Sequence, residues 1–115
     1  MARILVIDDK VLIRHMLRQT LERAGYEVVT AHNGHAGLQH YRYMPTELVI
    51  TDLEMPEQDG LETIRVLQHD FPKVKIIAIS GRSGSLSRAK EIGVQRTFQK
   101  PFGMQELLAA VHELV

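Results

Sequence analysis

Leu48-Val-Ile-Thr-Asp-Leu-Glu-Met-Pro-Glu-Gln-Asp-Gly60 is the stretch around which the rest of the chain is organised. Its first residues, Leu48 to Ile50, form a short apolar run rich in β-branched side chains, the pattern of a buried strand. That run leads into Asp52, a carboxylate placed where strand gives way to loop. Pro56 is expected to stop regular structure, and Asp59-Gly60 to supply turn chemistry and an N-cap for a following helix. In open α/β sheets ligands bind just beyond the carboxyl ends of the strands, so an acidic side chain here suits chemistry. It also suits plain turn capping. For Asp52 taken alone the two readings weigh about evenly.

Three other strand-like runs end in the same manner. Arg3-Ile-Leu-Val-Ile7 ends in Asp8-Asp9, Val74-Lys-Ile-Ile-Ala-Ile79 in Ser80-Gly81, and the shorter Thr97-Phe-Gln99 in Lys100-Pro101. If these strands run parallel, their C-terminal ends open onto one rim, which gathers three carboxylates, a hydroxyl and an ammonium. Chance rarely sets a different polar group at the end of each strand.

Between these runs the apolar residues recur at helical spacing. Ile13, Met16, Leu17, Leu21 and Ala24 predict a helix over about Val11 to Ala24, with Met16 facing inward and Gly25 as its stop. Tyr26 to Ala31 reads as a strand, Asn33-Gly34 as a turn, and Ala36 to Tyr43 as a helix ended before Pro45. Leu61, Ile64, Leu67 and Phe71 mark a third helix from Gly60 to about Asp70. A small-residue loop, Ser80-Gly-Arg-Ser-Gly-Ser85, precedes a short helix over roughly Leu86 to Ile92. Met104, Leu107, Leu108, Val111 and Leu114 make the last one. Strand and helix alternate five times, which predicts a parallel sheet with helices on both faces.

Composition narrows the function. The 115 residues carry fourteen basic and fourteen acidic side chains, a net charge of zero, which argues against charge-driven binding to nucleic acid or membrane. There is no cysteine, so disulfides and thiol catalysis are excluded, and a cytoplasmic location fits. No apolar run reaches transmembrane length. The pattern is read as a single domain over residues 1–115.

Asp8, Asp9 and Asp52, brought close together, would repel strongly unless a cation joined them. Carboxylates on a loop-lined rim suit Mg²⁺, which takes one or two of them and completes its shell with water and phosphate oxygens. Ser80 offers a hydroxyl to a phosphate and Lys100 a positive charge. Such a site transfers phosphoryl groups mainly by positioning and charge neutralisation, and a carboxylate can be the nucleophile.

The acidic pair Asp8-Asp9, the segment Asp52 to Gly60, Ser80-Gly81 and Lys100-Pro101-Phe102 are each weak signals, but in this order at strand ends they are specific. On these residues the sequence resembles the receiver domains of two-component response regulators, across essentially the whole chain. The resemblance implies a flavodoxin-like fold, a doubly wound α/β sheet of five parallel strands in the order 2-1-3-4-5. It implies that Asp52 accepts a phosphoryl group from a histidine kinase or phosphotransfer protein. Asp8, Asp9, Asp52 and the backbone carbonyl of Glu54 would bind Mg²⁺ or Mn²⁺, Lys100 would pair with the phosphoryl group, and Ser80 would reach toward it. The surface of the fourth helix, fifth strand and fifth helix would carry the signal to an effector protein, in a monomer or a phosphorylation-dependent dimer.

Certain residues depart from the family pattern or vary within it. Receivers commonly carry Tyr or Phe three residues before the lysine; here Thr97 stands there, with Phe98 one place later. Period-two alternation turns Phe98 to the opposite face, so it is expected in the core and not as a switch. Glu54 and Arg82 lie two residues beyond Asp52 and Ser80, and an ion pair between them is considered as a cover over Asp52. Such surface pairs are usually worth less than about 1 kcal/mol. The six histidines lack metal-site spacing and are expected at the surface. The Ser80 loop lacks the ending of a nucleotide-binding loop, and its glycines suit a mobile segment.

The resulting expectation is a phosphoaccepting switch acting on no metabolite, with no direct contact to nucleic acid or membrane. Its rivals are the receiver portion of a larger regulator with a DNA-binding or enzymatic output domain, and a pseudo-receiver that binds partners without phosphorylation.

Overall fold

A computed structural model describes residues 2–55 and 58–115, with the side chains of residues 58 and 59 outside the description. The elements follow in the order β1 (Arg3–Ile7), α1 (Val11–Arg23), β2 (Glu27–Ala31), α2 (Gly34–Tyr43), β3 (Leu48–Asp52), α3 (Gly60–Asp70), β4 (Ile76–Ser80), α4 (Ser83–Glu91), β5 (Arg96–Gln99) and α5 (Met104–Leu114). The five strands are parallel and lie in the order β2-β1-β3-β4-β5, as the family resemblance implies. A two-residue antiparallel ladder, Glu54–Met55 against Gln58–Asp59, follows β3.

Alternation along the strands builds two cores, because a sheet covered on both faces buries every residue of its central strands. Leu5, Ile7, Val49, Ile76 and Ala78 face one side, where Leu38 and Tyr41 of α2, Ile64 and Leu67 of α3, and Leu86 and Ala89 of α4 cover them. Ile4, Val6, Leu48, Ile50, Ile77 and Ile79 face the other, against Leu17 and Leu21 of α1 and Leu107, Ala110 and Val111 of α5. The outer strand β5 is only partly buried.

Local signals set most helix ends. Gly25, at φ +97°, closes α1, and its N–H bonds to the Glu22 carbonyl. Asn33 is more than a turn residue: its side chain accepts from the Ala36 N–H at 2.8 Å, so α2 begins two residues earlier than its apolar pattern suggests. The fourth helix likewise begins at Ser83, inside the stretch expected as a loop, with Leu86 N–H bonded to the Arg82 carbonyl. Its polar first turn is exposed, while Leu86 and Ala89 anchor it. Met16 is 42% exposed and not inward; Leu17 and Leu21 carry the buried stripe of α1, and Val11 and Leu12 are also open to solvent. All six histidines are exposed, as expected. The expectation at Pro56 lies outside the described residues, and the proposed cap at Asp59 outside the described side chains.

Gly60 is the glycine on which the site depends. A Cβ there would stand 2.6 Å from the Leu53 Cα and 2.7 Å from the Asp52 carbonyl oxygen, both backbone atoms with little freedom to yield. Gly60→Ala is therefore expected to cost about 1–3 kcal/mol, the usual range for overpacking. Urea unfolding checks this, and a midpoint equal to wild type would show that the loop has room to relax.

Candidate functional site

The parallel register assembles the rim. Ile7 lies opposite Thr51, so Asp8 follows β1 level with Asp52 at the end of β3. Asp52 lies opposite Ile79, which brings Ser80 one step beyond it. Ser80 in turn pairs with Gln99, so that Lys100 emerges next. The Lys100 N–H bonds to the Ser80 carbonyl at 2.9 Å and fixes this end of β5.

The three aspartates present ligand oxygens that all lie within 4.8 Å of one another. Asp8 and Asp52 are buried, and Asp9 is half-buried. Lysines answer this charge from two sides. Lys100 Nζ stands 3.2 Å from Asp52 Oδ1, and Lys10 Nζ stands 3.6 Å from Asp52 Oδ2 and 3.4 Å from Asp9 Oδ1. Lys10 also donates its backbone N–H to Asp8 Oδ1 at 2.8 Å, while Arg14 holds the Asp8 carbonyl at 2.7 Å. Burial pushes the Asp8 carboxyl above its ordinary value; the Lys10 N–H partly offsets this, and the Asp52 charge adds to the rise. For Lys10, partial burial works against the charge, but Asp52, Asp8 and Asp9 outweigh it and raise the ammonium above its usual range. The sequence reading did not single out Lys10, although its place directly after the acidic pair was a signal for it.

Asp52 Oδ2 is buried with no hydrogen-bond partner among the described residues. A buried carboxylate oxygen without a donor, beside two further carboxylates, is a donor set that suits a hard divalent cation. The residues present therefore fit Mg²⁺.

Ser80 and Glu54 are joined in a way the sequence did not disclose. Ser80 Oγ lies 2.6 Å from both carboxylate oxygens of Glu54, and the Gly81 N–H donates to Glu54 Oε1 at 3.0 Å. The considered Glu54–Arg82 pair is thus corrected: Glu54 turns to Ser80, while Arg82 is exposed and contributes its backbone N–H to Ser80 Oγ at 2.9 Å. The donors at the start of the loop reach the carboxylate first, and a solvated guanidinium gains little from an exposed pair. Thr97 is half-buried, and Phe98 is half-buried instead of enclosed. Its position on an outer strand leaves the ring packed against the α1–α5 core and Phe102, with ring centroids 5.8 Å apart, and with the Arg96 guanidinium 5.6 Å from its centre.

The raised Asp8 value fixes a pH dependence. The native state keeps this proton to higher pH than the unfolded chain, so its stabilisation is full below the ordinary value near 3.8 and is lost as pH rises through the raised one. Asp8→Asn retains the acceptor for Lys10 and removes the charge. The metal-free variant should unfold at higher urea than wild type at pH 7, with the gap closing toward pH 4. A lower midpoint at pH 7 would contradict this account.

Comparison with known proteins agrees with the geometry. Residues 4–112 match the response regulator receiver domain family. The chain is 30% identical to the chemotaxis protein CheY of Thermotoga maritima, covering 97% of this chain and 96% of that protein. It is 36% identical to a probable transcriptional regulatory protein of Picosynechococcus, over 99% of this chain but 49% of that protein, so it spans about half the length of that relative. Among solved structures, the response regulator TrrA of Thermotoga maritima, in complex with Mg²⁺ and BeF, superposes with a TM-score of 0.93 at 35% identity, covering all of both chains. On the match over residues 4–112 and these likenesses, the chain belongs to the response regulator receiver family.

Proposed function

We propose that this protein is a phosphoaccepting signalling switch, a single receiver domain over residues 1–115 in which Asp52 is the phosphoacceptor. The observation that carries this reading is the buried Asp52 carboxylate at the end of the central strand, with Lys100 at 3.2 Å and Asp8 and Asp9 beside it. The donor is a phosphohistidine on a histidine kinase or phosphotransfer protein. A carboxylate oxygen of Asp52 attacks phosphorus, the P–N bond breaks as the P–O bond forms, and the imidazole leaves with a proton.

Asp8, Asp9, Asp52 and the Glu54 backbone carbonyl would hold Mg²⁺, with Mn²⁺ as a substitute. The ion supplies positive charge against the phosphoryl oxygens and lets three carboxylates share one rim. Lys100 places its ammonium beside the attacking carboxylate and pairs with the transferred group, and Ser80 turns toward that group once it is attached. Movement of Ser80 shifts the surface of α4, β5 and α5, which carries the signal to an effector protein. Only the differential interaction of the phosphoryl group with two conformations can drive that shift. The switch catalyses no more than its own phosphorylation and dephosphorylation.

Among the described residues no helix is long and apolar enough to cross a membrane, and a cytoplasmic location fits the reading. A second reading, a receiver joined to a DNA-binding or enzymatic output domain, is favoured by one observation: this chain matches only half of the Picosynechococcus regulator.

The test is incubation with an acyl phosphate and Mg²⁺, read by intact mass. Wild type should gain one phosphoryl group, and Asp52→Asn or removal of Mg²⁺ should abolish the gain. No uptake by wild type under any condition would favour a partner-binding pseudo-receiver.

A further inference from the structure

Glu54 faces neutral donors at the rim, where Asp9 and Asp52 face lysines. Its carboxylate takes the Ser80 hydroxyl at 2.6 Å and the Gly81 N–H at 3.0 Å, and its own backbone N–H stands 3.5 Å from Asp52 Oδ1. Ser80 is fully buried, and its oxygen accepts in turn from the Arg82 N–H. A hydroxyl donating to a carboxylate at this distance belongs to the short, charge-assisted class, roughly twice as strong as a neutral bond. Ser80 has one proton to give. While Glu54 holds it, no other anion can.

We propose that the Glu54 side chain is an internal competitor for the phosphoryl group: it occupies Ser80 and Gly81 in the resting protein and must be displaced before Ser80 can bond a group on Asp52. The inference rests on the phosphoacceptor reading of Asp52 and adds to it a residue that sets the balance between the two states. The contact stabilises the resting arrangement of the loop between β4 and α4. The apparent affinity for a phosphoryl group is then reduced by the fraction of molecules in which Glu54 remains engaged. Glu54 acts through Ser80 and is a positioning residue.

The experiment titrates beryllofluoride, a non-covalent phosphoryl mimic, into the protein with Mg²⁺, using wild type, Glu54→Asp, Ser80→Ala and the double variant. Glu54→Asp keeps the negative charge and withdraws the carboxylate by one methylene, which separates loss of the contact from a general change in charge. It should bind beryllofluoride about ten- to a hundredfold more tightly than wild type, the range expected when one charge-assisted hydrogen bond no longer opposes binding. The gain should vanish on the Ser80→Ala background. Amide exchange at Gly81 in the metal-free protein should be faster in Glu54→Asp. Unchanged or weaker binding, a gain that persists without Ser80, or unchanged exchange at Gly81 would each overturn the proposal. Failure of every protein to bind beryllofluoride, with exchange at Gly81 still accelerated, would instead overturn the phosphoacceptor reading, and the competition with it, while leaving the contact standing.

Discussion

Mutual repulsion among three carboxylates is the constraint to which the rest of the structure answers. Asp8, Asp9 and Asp52 converge within 4.8 Å, and two of them are buried. At such separations unit charges interact by several kcal/mol at the effective dielectric of a protein surface. Random coil would not gather them. The parallel sheet does so because its backbone pairing and two apolar cores fix the register, and the register then leaves no choice about which residues follow each strand. The stability of the cores holds together a rim that would separate if freed.

The surrounding charges offset the repulsion unevenly. Lys100 approaches one oxygen of Asp52 and Lys10 the other, yet that second oxygen has no hydrogen-bond donor among the described residues. Two ammonium groups against three carboxylates leave an excess of negative charge at a partly open rim. Lysine suits this place because its ammonium is a compact charge on a flexible stem, able to yield its position, whereas a bidentate arginine would lock the carboxylates. In the proposed function the rim would admit a cation and an anionic group together, and an incompletely neutralised cluster is the electrostatic form of that readiness.

Much of this was legible in the sequence, and the reason is geometric. Apolar runs of strand length, each ended by a polar residue, record both the sheet and its functional edge, because side-chain period and chain reversal are local properties. Gly25 and Asn33 likewise advertise their caps. What stayed hidden depended on contacts between segments distant in the chain. Nothing in Glu54 or Ser80 alone says that they meet across 26 positions, nor that Arg82 would be left in solvent. The start of α4 was hidden for a different reason: Ser83, Gly84 and Ser85 carry no apolar period, and anchoring by Leu86 and Ala89 overrides their weak propensity. Met16 misled because it lies three residues from the partly buried Ile13 while its own position falls at the edge of the stripe, where exposure is 42%.

The same division bears on how the rim communicates with the rest of the molecule. Asp52 belongs to a central strand buried on both faces, and has little freedom to move. Ser80 ends the next strand, and the residues beyond it pass into a helix whose first turn is exposed and rich in small side chains. β5, alongside, is the partly buried outer strand. A change of charge at Asp52 therefore meets a rigid side and a compliant side, and a structure of this kind yields where fewest buried contacts resist. The compliant side is the one that carries Ser80, α4 and β5. It meets the rim through the Ser80 hydroxyl and the Gly81 N–H, both bonded to Glu54, and through Lys100 beside Asp52. Under the proposed competition between Glu54 and a phosphoryl group, the acceptor that holds the Ser80 hydroxyl would set where the loop rests and which surface α4 and β5 present.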